Sequence, residues 1–411
     1  MKYLIVVPDG SADEPIPSLG GKTPLEAADI PFIDELAARG VIGSCRTVPE
    51  GVSPGSDSAN LSVMGFDPRI YLTGRSPLEA ASIGVNMEED DIAFRANLIT
   101  LDPAGASEYE DFLIRDHSAG DITQEEAVEL AKAAAEVFNE ENLSLYPGTG
   151  YRLCMVTNSK HPNGHTEYKC VPPHDVLDRR AGDYLPQGKG AEKLIDIMKK
   201  SFDLLDNHPI NQERAAKGLN KANSLWIWGQ GTRPKLPALK DKYGVDGTVI
   251  SAVDLIKGIG IFAGLEVPFV KGATGNKHTD FEAKVKTAVE AYESGKNFVY
   301  MHIEGTDECS HMDDLEGKIQ CIEDVDKRVV KPLYEYLKNS GEDFRILIIP
   351  DHRTPLSIRT HSSDPVPFVI YDSTKEAAPD SSKQFNERAA AASGNLIEDG
   401  HTLADYFFRK Q

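Results

Sequence analysis

The chain has 411 residues, 40% hydrophobic and 27% charged, the composition of an ordinary folded protein with room for two or three domains. Its formal net charge of −21 repels polyanions and so speaks against nucleic acid or an anionic membrane as its partner. A cleft lined by Arg, Lys or divalent cations can still take a small anion. Five scattered cysteines with no C-x-x-C pair, and no apolar run near the roughly 20 residues of a membrane helix, lead to the expectation of a cytoplasmic protein without disulfides.

Residues 2–7 (KYLIVV) read as a buried strand that ends at Pro8-Asp9-Gly10, too short an apolar run for a signal segment. A helix is predicted over 24–39, stopped by Gly40, followed by a strand from Val41 to Val48. This βαβ rhythm predicts an α/β sheet of parallel strands. Residues 94–100 and 151–157 read as strands, and 123–142 as an Ala/Glu-rich helix with a Thr-x-x-Glu start. Loops rich in Gly, Pro and His dominate 158–190. The α/β rhythm resumes with strands predicted at 225–231, 247–253, 298–305, 344–352 and 365–371, and helices at 279–294 and 317–338. The pattern predicts one α/β domain built from 1–92 and 187–411, with a small α+β domain, 93–186, inserted into it.

In open α/β sheets ligands bind beyond the carboxyl ends of the strands. The residues there are Asp9 after the first strand, Asp307 and His311 after the strand at 298–305, Asp351-His352 after the strand at 344–350, and His361 just before the last strand. A lone Asp or His at a strand end is ordinary. All of these at one edge of one inferred sheet point to metal binding. Asp307 and His311, four apart, share a helical face and can hold one ion. The Asp-His dipeptide points two ways and can serve neighbouring ions. Carboxylate with imidazole suits Mn, Zn, Co or Fe better than Ca.

The segment VSPGSDSANLSVMGFDP (52–68) places Ser56 at a turn-to-helix junction, where the helix N-terminus favours negative charge. Beside divalent cations its hydroxyl becomes a nucleophile toward phosphorus. The competing reading makes Ser56 a plain N-cap.

The motifs VVPDG (6–10), LGGKTPLEAA (19–28), SPGSDSANLSVMGFDP (53–68), YLTGRSPLEAA (71–81), the Asp307/His311 pair, PDH (350–352) and THSSDPVPFVIY (360–371) follow one another along nearly the whole chain. In these the sequence resembles the archaeal-type, cofactor-independent phosphoglycerate mutases of the alkaline phosphatase superfamily. The resemblance implies an alkaline-phosphatase-like core sheet with helices on both faces and a cap domain that closes over substrate. It also implies two divalent metal ions (Mn, Zn, Co or Mg), one held by Asp307, His311 and His361, the other by Asp9, Ser56, Asp351 and His352. Ser56 is then the residue that takes the phosphoryl group from 3-phosphoglycerate and returns it to the 2-hydroxyl.

The implied partner is a small phosphorylated molecule, and a homo-oligomer is compatible with the sequence. Arg75 is a candidate clamp for phosphate or carboxylate. Arg152, His165, His174, Asp175 and Lys277 are further candidates for substrate contact, and Asp116 and His117 for acid/base work. One departure stands out: Asn60 occupies a position where many relatives carry His. That pattern resembles a bacterial branch proposed to act as homoserine kinases, which leaves an ATP-dependent phosphotransferase as the alternative activity.

Overall fold

The computed structural model describes residues 1–139, 142–158, 160, 167–375 and 377–408. In chain order its strands are β1 (Lys2–Pro8), β2 (Val41–Cys45), β3 (Asp91–Asp102), β4 (Leu113–Asp116), β5 (Leu143–Pro147), β6 (Arg152–Asn158), β7 (Ser224–Thr232), β8 (Gly247–Ile250), β9 (Phe298–Ile303), β10 (Phe344–Ile348), β11 (Val366–Asp372) and β12 (Leu396–Ile397). They fall into two compact units, one formed by 1–72 with 236–411 and the other by 73–235.

The first unit is built on a seven-stranded sheet of order β12-β2-β11-β10-β1-β9-β8. β1 is apolar on both faces because it lies between two parallel neighbours, β9 and β10, and Leu4 to Val7 have no exposed surface. Burying each such side chain stabilises by about 1.5–3 kcal/mol, so the strand that carries Asp9 is held at its most strongly packed point. The expectation of an all-parallel sheet fails at one strand. β11 is antiparallel to both β10 and β2. The reversal matters for the site, since it brings the start of β11, rather than its end, to the edge where β1, β9 and β10 finish.

Two expected helices are broken, each for a local reason. The helix predicted over 24–39 is two helices, Pro24–Ala27 and Pro31–Arg39. Thr23 and Glu26 close a capping box on the first, while Pro31 pushes Ile30 out of the helical region (φ −122°, ψ 57°). The helix predicted over 317–338 runs from Leu315–Asp324 through a π-helical stretch, Val325–Val330, into Lys331–Asn339. The bulge turns Asp326 inward, where its carboxylate accepts the Ile33 N–H at 2.7 Å.

The second unit is an antiparallel sheet in which β3 pairs with β4, β6 and β7, and β6 with β5. Helices Gln124–Phe138 and Ala191–Leu205 pack on it over a core containing Phe94, Leu98, Leu130, Leu194 and Trp226. This α+β unit is wider than 93–186 at both ends. Residues 225–231, expected in the main sheet, form β7 and pair with β3 instead. An apolar run cannot announce which sheet it joins, because strands of both sheets are buried over most of their length, β9 and β10 in one and β3 in the other.

Candidate metal centre and its serine

β1 hands the chain to Asp9 and Gly10. Gly10 sits at φ +61°, and a Cβ there would strike Thr354 Oγ1 and lie 2.7 Å from Asp307 Oδ1, so any larger residue would displace those two side chains. β9 leads into the short helix Gly305–His311, which sets Asp307 Oδ2 3.1 Å from His311 Nε2. β10 ends at Ile348, three residues before Asp351, and His361 comes in on the segment before β11. Two groups of donors result. Asp307, His311 and His361 form one, and Asp9, Asp351 and His352 the other, with the donor atoms of each group within 4.8 Å of one another.

The imidazoles are oriented in a way that suits cations. Thr354 Oγ1 donates to Asp307 Oδ1 at 2.6 Å, so toward His352 Nδ1, 3.2 Å away, it acts as acceptor. That places the His352 proton on Nδ1 and leaves the Nε2 lone pair aimed at Asp351 Oδ2 (3.4 Å), Asp9 Oδ1 (3.6 Å) and Ser56 Oγ (3.2 Å). His311 likewise donates from Nδ1 to the Arg359 carbonyl at 2.9 Å. Its Nε2 then lies 3.2 Å from His361 Nε2. Lone pairs that face carboxylates and each other need a proton or a metal between them. Asp9 Oδ1 is moreover buried with no hydrogen-bond partner. The donor set fits divalent cations.

Ser56 opens the helix Ser56–Val63. The N-cap is Gly55, and it makes no side-chain cap bond, so the plain N-cap reading of Ser56 fails. Its hydroxyl is left to the cluster. One turn on, fully buried Asn60 donates from Nδ2 to the Ser56 carbonyl and to Asp351 Oδ2, both at 2.8 Å, and its Oδ1 accepts from Tyr300 Oη at 2.5 Å. Asn60 is therefore a brace between the serine helix, β9 and Asp351. It has no free position from which to shuttle a proton.

The electrostatics show how crowded the carboxylates are. Burial, then the neighbouring charges of Asp351 and Asp307, holds Asp9 far above the usual carboxylate range. Burial pushes Asp307 the same way, but hydrogen bonds from His311 and His361 outweigh it and keep it low. Asp351 is also held low against its burial, by His352 and His302. His311 is raised to about 9 by its bond to Asp307, and His352 is lowered by burial. Positive charge placed beside Asp9 would relieve this repulsion between carboxylates.

The remaining sequence candidates divide. In the second unit Arg152 lies over the Tyr151 ring, Tyr151 meets His117, His117 meets His174, and His174 sits 3.7 Å from Asp175. The unit thus gathers Arg152, His117, His174 and Asp175 in one polar and aromatic patch, which Trp228 extends. Arg75 is exposed at the start of the helix Ser76–Ser82. Asp116 is spent on a turn: burial pushes its carboxyl up, but the bonds it accepts from Ser118 N and Oγ, Gly120 N and Asn220 outweigh this and hold it low. Lys277 is ion-paired with Asp314. His165 lies outside the described residues.

Sequence reasoning missed Thr354, Tyr300, His302, Glu304 and Lys284. Thr354 and His302 each sit within a few residues of a candidate ligand, His352 and Asp307 respectively, a proximity that could have flagged them. Lys284 looks like any surface lysine of an amphipathic helix, yet it is fully buried.

The fold is that of a cofactor-independent phosphoglycerate mutase. The solved enzyme of that name from Thermoplasma acidophilum superposes with a TM-score of 0.67 over 100% of this chain and 99% of its own, at 24% identity. A solved protein from Pyrococcus horikoshii matches more closely, with a TM-score of 0.80, 31% identity, and 99% and 96% of the two chains covered. Sequence then gives the family. Residues 37–211 match the family model described as 2,3-bisphosphoglycerate-independent phosphoglycerate mutase. The enzyme so named from Methanosarcina barkeri is 44% identical over 390 residues, 95% of each chain. The chain belongs to the 2,3-bisphosphoglycerate-independent phosphoglycerate mutase family.

Proposed function

We propose that this chain interconverts 3-phosphoglycerate and 2-phosphoglycerate through a phosphoserine at Ser56. The observation that carries the reading is the placement of Ser56 Oγ 3.2 Å from His352 Nε2, at the rim of two adjacent carboxylate–imidazole clusters. Asp307, His311 and His361 would hold one divalent cation, and Asp9, Asp351, His352 and Ser56 the other. When bound, the cations neutralise phosphoryl oxygens and lower the pKa of a coordinated hydroxyl.

The protein's own residues do the rest. The N-terminus of the helix Ser56–Val63 favours the negative charge that gathers beside Ser56. In the first half-reaction the Ser56 Oγ–P bond forms as the bond from phosphorus to O3 of the glycerate breaks, and the serine proton ends on that departing oxygen. In the second half the glycerate O2 attacks the phosphoserine, its proton returns to Ser56, and the enzyme is restored. No bisphosphoglycerate enters the balance. Asn60 keeps Ser56 and Asp351 at a fixed separation through both halves. Arg75, Arg152, Asp175 and Lys277, with His165, are proposed substrate contacts on the chemistry of their side chains alone.

Among the described residues no helix is long and apolar enough to cross a membrane. A phosphorylated small molecule as partner follows from the family. The homoserine kinase alternative gains no support from relatives named as mutases.

The test is an enolase-coupled assay of the manganese-loaded protein on 3-phosphoglycerate without bisphosphoglycerate, with Ser56→Ala alongside. Turnover by the wild type that vanishes in the variant supports the mutase and the nucleophile together. No turnover at full metal occupancy, with ATP consumed only when homoserine is present, overturns the mutase in favour of the kinase.

A further inference from the structure

Behind the Asp9 cluster lies a chain of ionisable side chains that the proposed reaction does not use. Lys284, on the helix Phe281–Glu293, has no exposed surface, and its Nζ donates to Glu304 Oε2 at 2.6 Å and to the His302 carbonyl at 2.9 Å. Glu304, 2% exposed, accepts at Oε1 from Ala252 N (2.6 Å) and Ser251 Oγ (2.9 Å). His302 Nδ1 is 3.3 Å from that same oxygen. The far side of the His302 ring, Nε2, has no hydrogen-bond partner and faces Asp9 Oδ2 at 3.4 Å and Asp351 Oδ2 at 4.0 Å.

Two features separate this chain from a core ion pair that merely fills space. A buried pair contributes little net stability, and apolar residues of equal volume serve as well. Such a pair also has no need of an imidazole whose second nitrogen is aimed at a carboxylate. The arrangement is instead that of an outer support: a carboxylate, neutralised by a lysine, pins one ring nitrogen and so fixes the direction of the other, which as an N–H turns a donor, not a lone pair, toward Asp9 Oδ2. Asp9 is the group that profits. One of its oxygens faces His302, the other faces His352 Nε2 at 3.6 Å, and neither is fixed by a hydrogen bond from a backbone N–H.

We propose that Lys284, Glu304 and His302 form a buried positioning relay that fixes the Asp9 carboxylate for cation binding. The three residues belong to neither donor cluster. The inference rests on the reading of Asp9 as a metal ligand given above.

The experiment measures Mn2+ affinity and stoichiometry by chelator competition on the full chain. The variants are His302→Leu, Glu304→Gln, the volume-matched double Lys284→Met/Glu304→Leu, and Asp9→Ala. Circular dichroism and a urea titration establish which are folded. The relay predicts that wild type binds two Mn2+, and that the His302 and double variants lose about 10–100-fold in affinity at one site and little at the other. It also predicts that kcat returns toward the wild-type value at saturating Mn2+, with KM for 3-phosphoglycerate within about twofold. Glu304→Gln, which can still accept from His302, should fall between. Should His302→Leu not fold, the double variant, with no buried charge left alone, carries the test. Wild-type Mn2+ affinity in every folded relay variant, while Asp9→Ala loses an ion, overturns the relay and leaves the site standing. Complete loss of one ion from His302→Leu at any Mn2+ concentration makes His302 a ligand and overturns the relay too. Two ions retained by Asp9→Ala removes the site reading on which the relay depends.

Discussion

Replacing Asn60 by Ala tests the brace beneath Ser56. The substitution removes three hydrogen bonds: to the Ser56 carbonyl and Asp351 Oδ2 at 2.8 Å, and from Tyr300 Oη at 2.5 Å. A buried neutral hydrogen bond contributes about 1 kcal/mol and one to a charged group about 1.5–3 kcal/mol. The Tyr300 hydroxyl is also left buried without an acceptor, so a loss of about 4 kcal/mol in unfolding free energy is expected. Tyr300→Phe breaks only one of the three bonds and leaves Asn60 Oδ1 unfilled, for about 1–2 kcal/mol. Urea titrations of the two single variants and the double supply a thermodynamic cycle. The double should lose clearly less than the sum of the singles, since one bond is shared. Turnover of Asn60→Ala should fall with kcat rather than KM, because Ser56 and Asp351 lose their common support. An Asn60→Ala protein within about 1 kcal/mol of wild type, with additive singles and unchanged kcat, would refute the brace. Asn60 would then be a passive replacement for histidine.

Four further outcomes are expected. Gly10→Ala should fold yet lose metal affinity and turnover, since the added methyl meets Asp307 and Thr354 at a φ of +61°; equilibrium dialysis with Mn2+ checks it, and wild-type affinity would refute it. Lys318→Met leaves Asp13 buried without the ammonium now 2.7 Å away, and should cost about 3–5 kcal/mol, much of it recovered in Lys318→Met/Asp13→Leu by denaturant titration. Burial raises Asp326 to about 6, so the folded state holds a proton there that the unfolded chain, near pH 4, releases. Its contribution to stability is therefore full below about pH 4 and declines as pH rises to about 6. Asp326→Asn should flatten that slope, and an unchanged pH profile counts against it. The five thiols are free, and burial pushes Cys45 up to about 12 and Cys170 and Cys309 up to about 11. A disulfide exchange reagent at pH 8 should react slowly with native protein and fully in denaturant; rapid native labelling of Cys45, Cys154, Cys309 and Cys321 contradicts their burial.

The sequence by itself determined six of the seven strands of the core sheet, all but the two-residue β12, and the polar residues that follow them. Asp9, Asp307, Asp351 and His352 could be read there because a buried strand shows as an unbroken apolar run, and its end shows as the first polar residues after it. Asp307 and His311 could be paired because four residues make one helical turn. Ser56 could be singled out because a Pro-Gly turn before an apolar helical pattern marks a helix start.

Only the tertiary structure decided the rest. Strand direction is not written in an alternation of apolar residues, so the reversal of β11, which brings His361 to Asp307 and His311, had to come from the sheet. The same blindness assigned 225–231 to the wrong sheet and drew the second unit too narrowly. Imidazole orientation depends on Thr354 and the Arg359 carbonyl, hydrogen bonds that close between distant segments or around a turn. Lys284 was unreadable for a related reason. A lysine is buried only when a partner waits for it, and its partner Glu304 is twenty residues away in the chain but 2.6 Å away in the fold. Local sequence carries local period and turn chemistry; the pairing of charges across the core exists only after the chain has closed on itself.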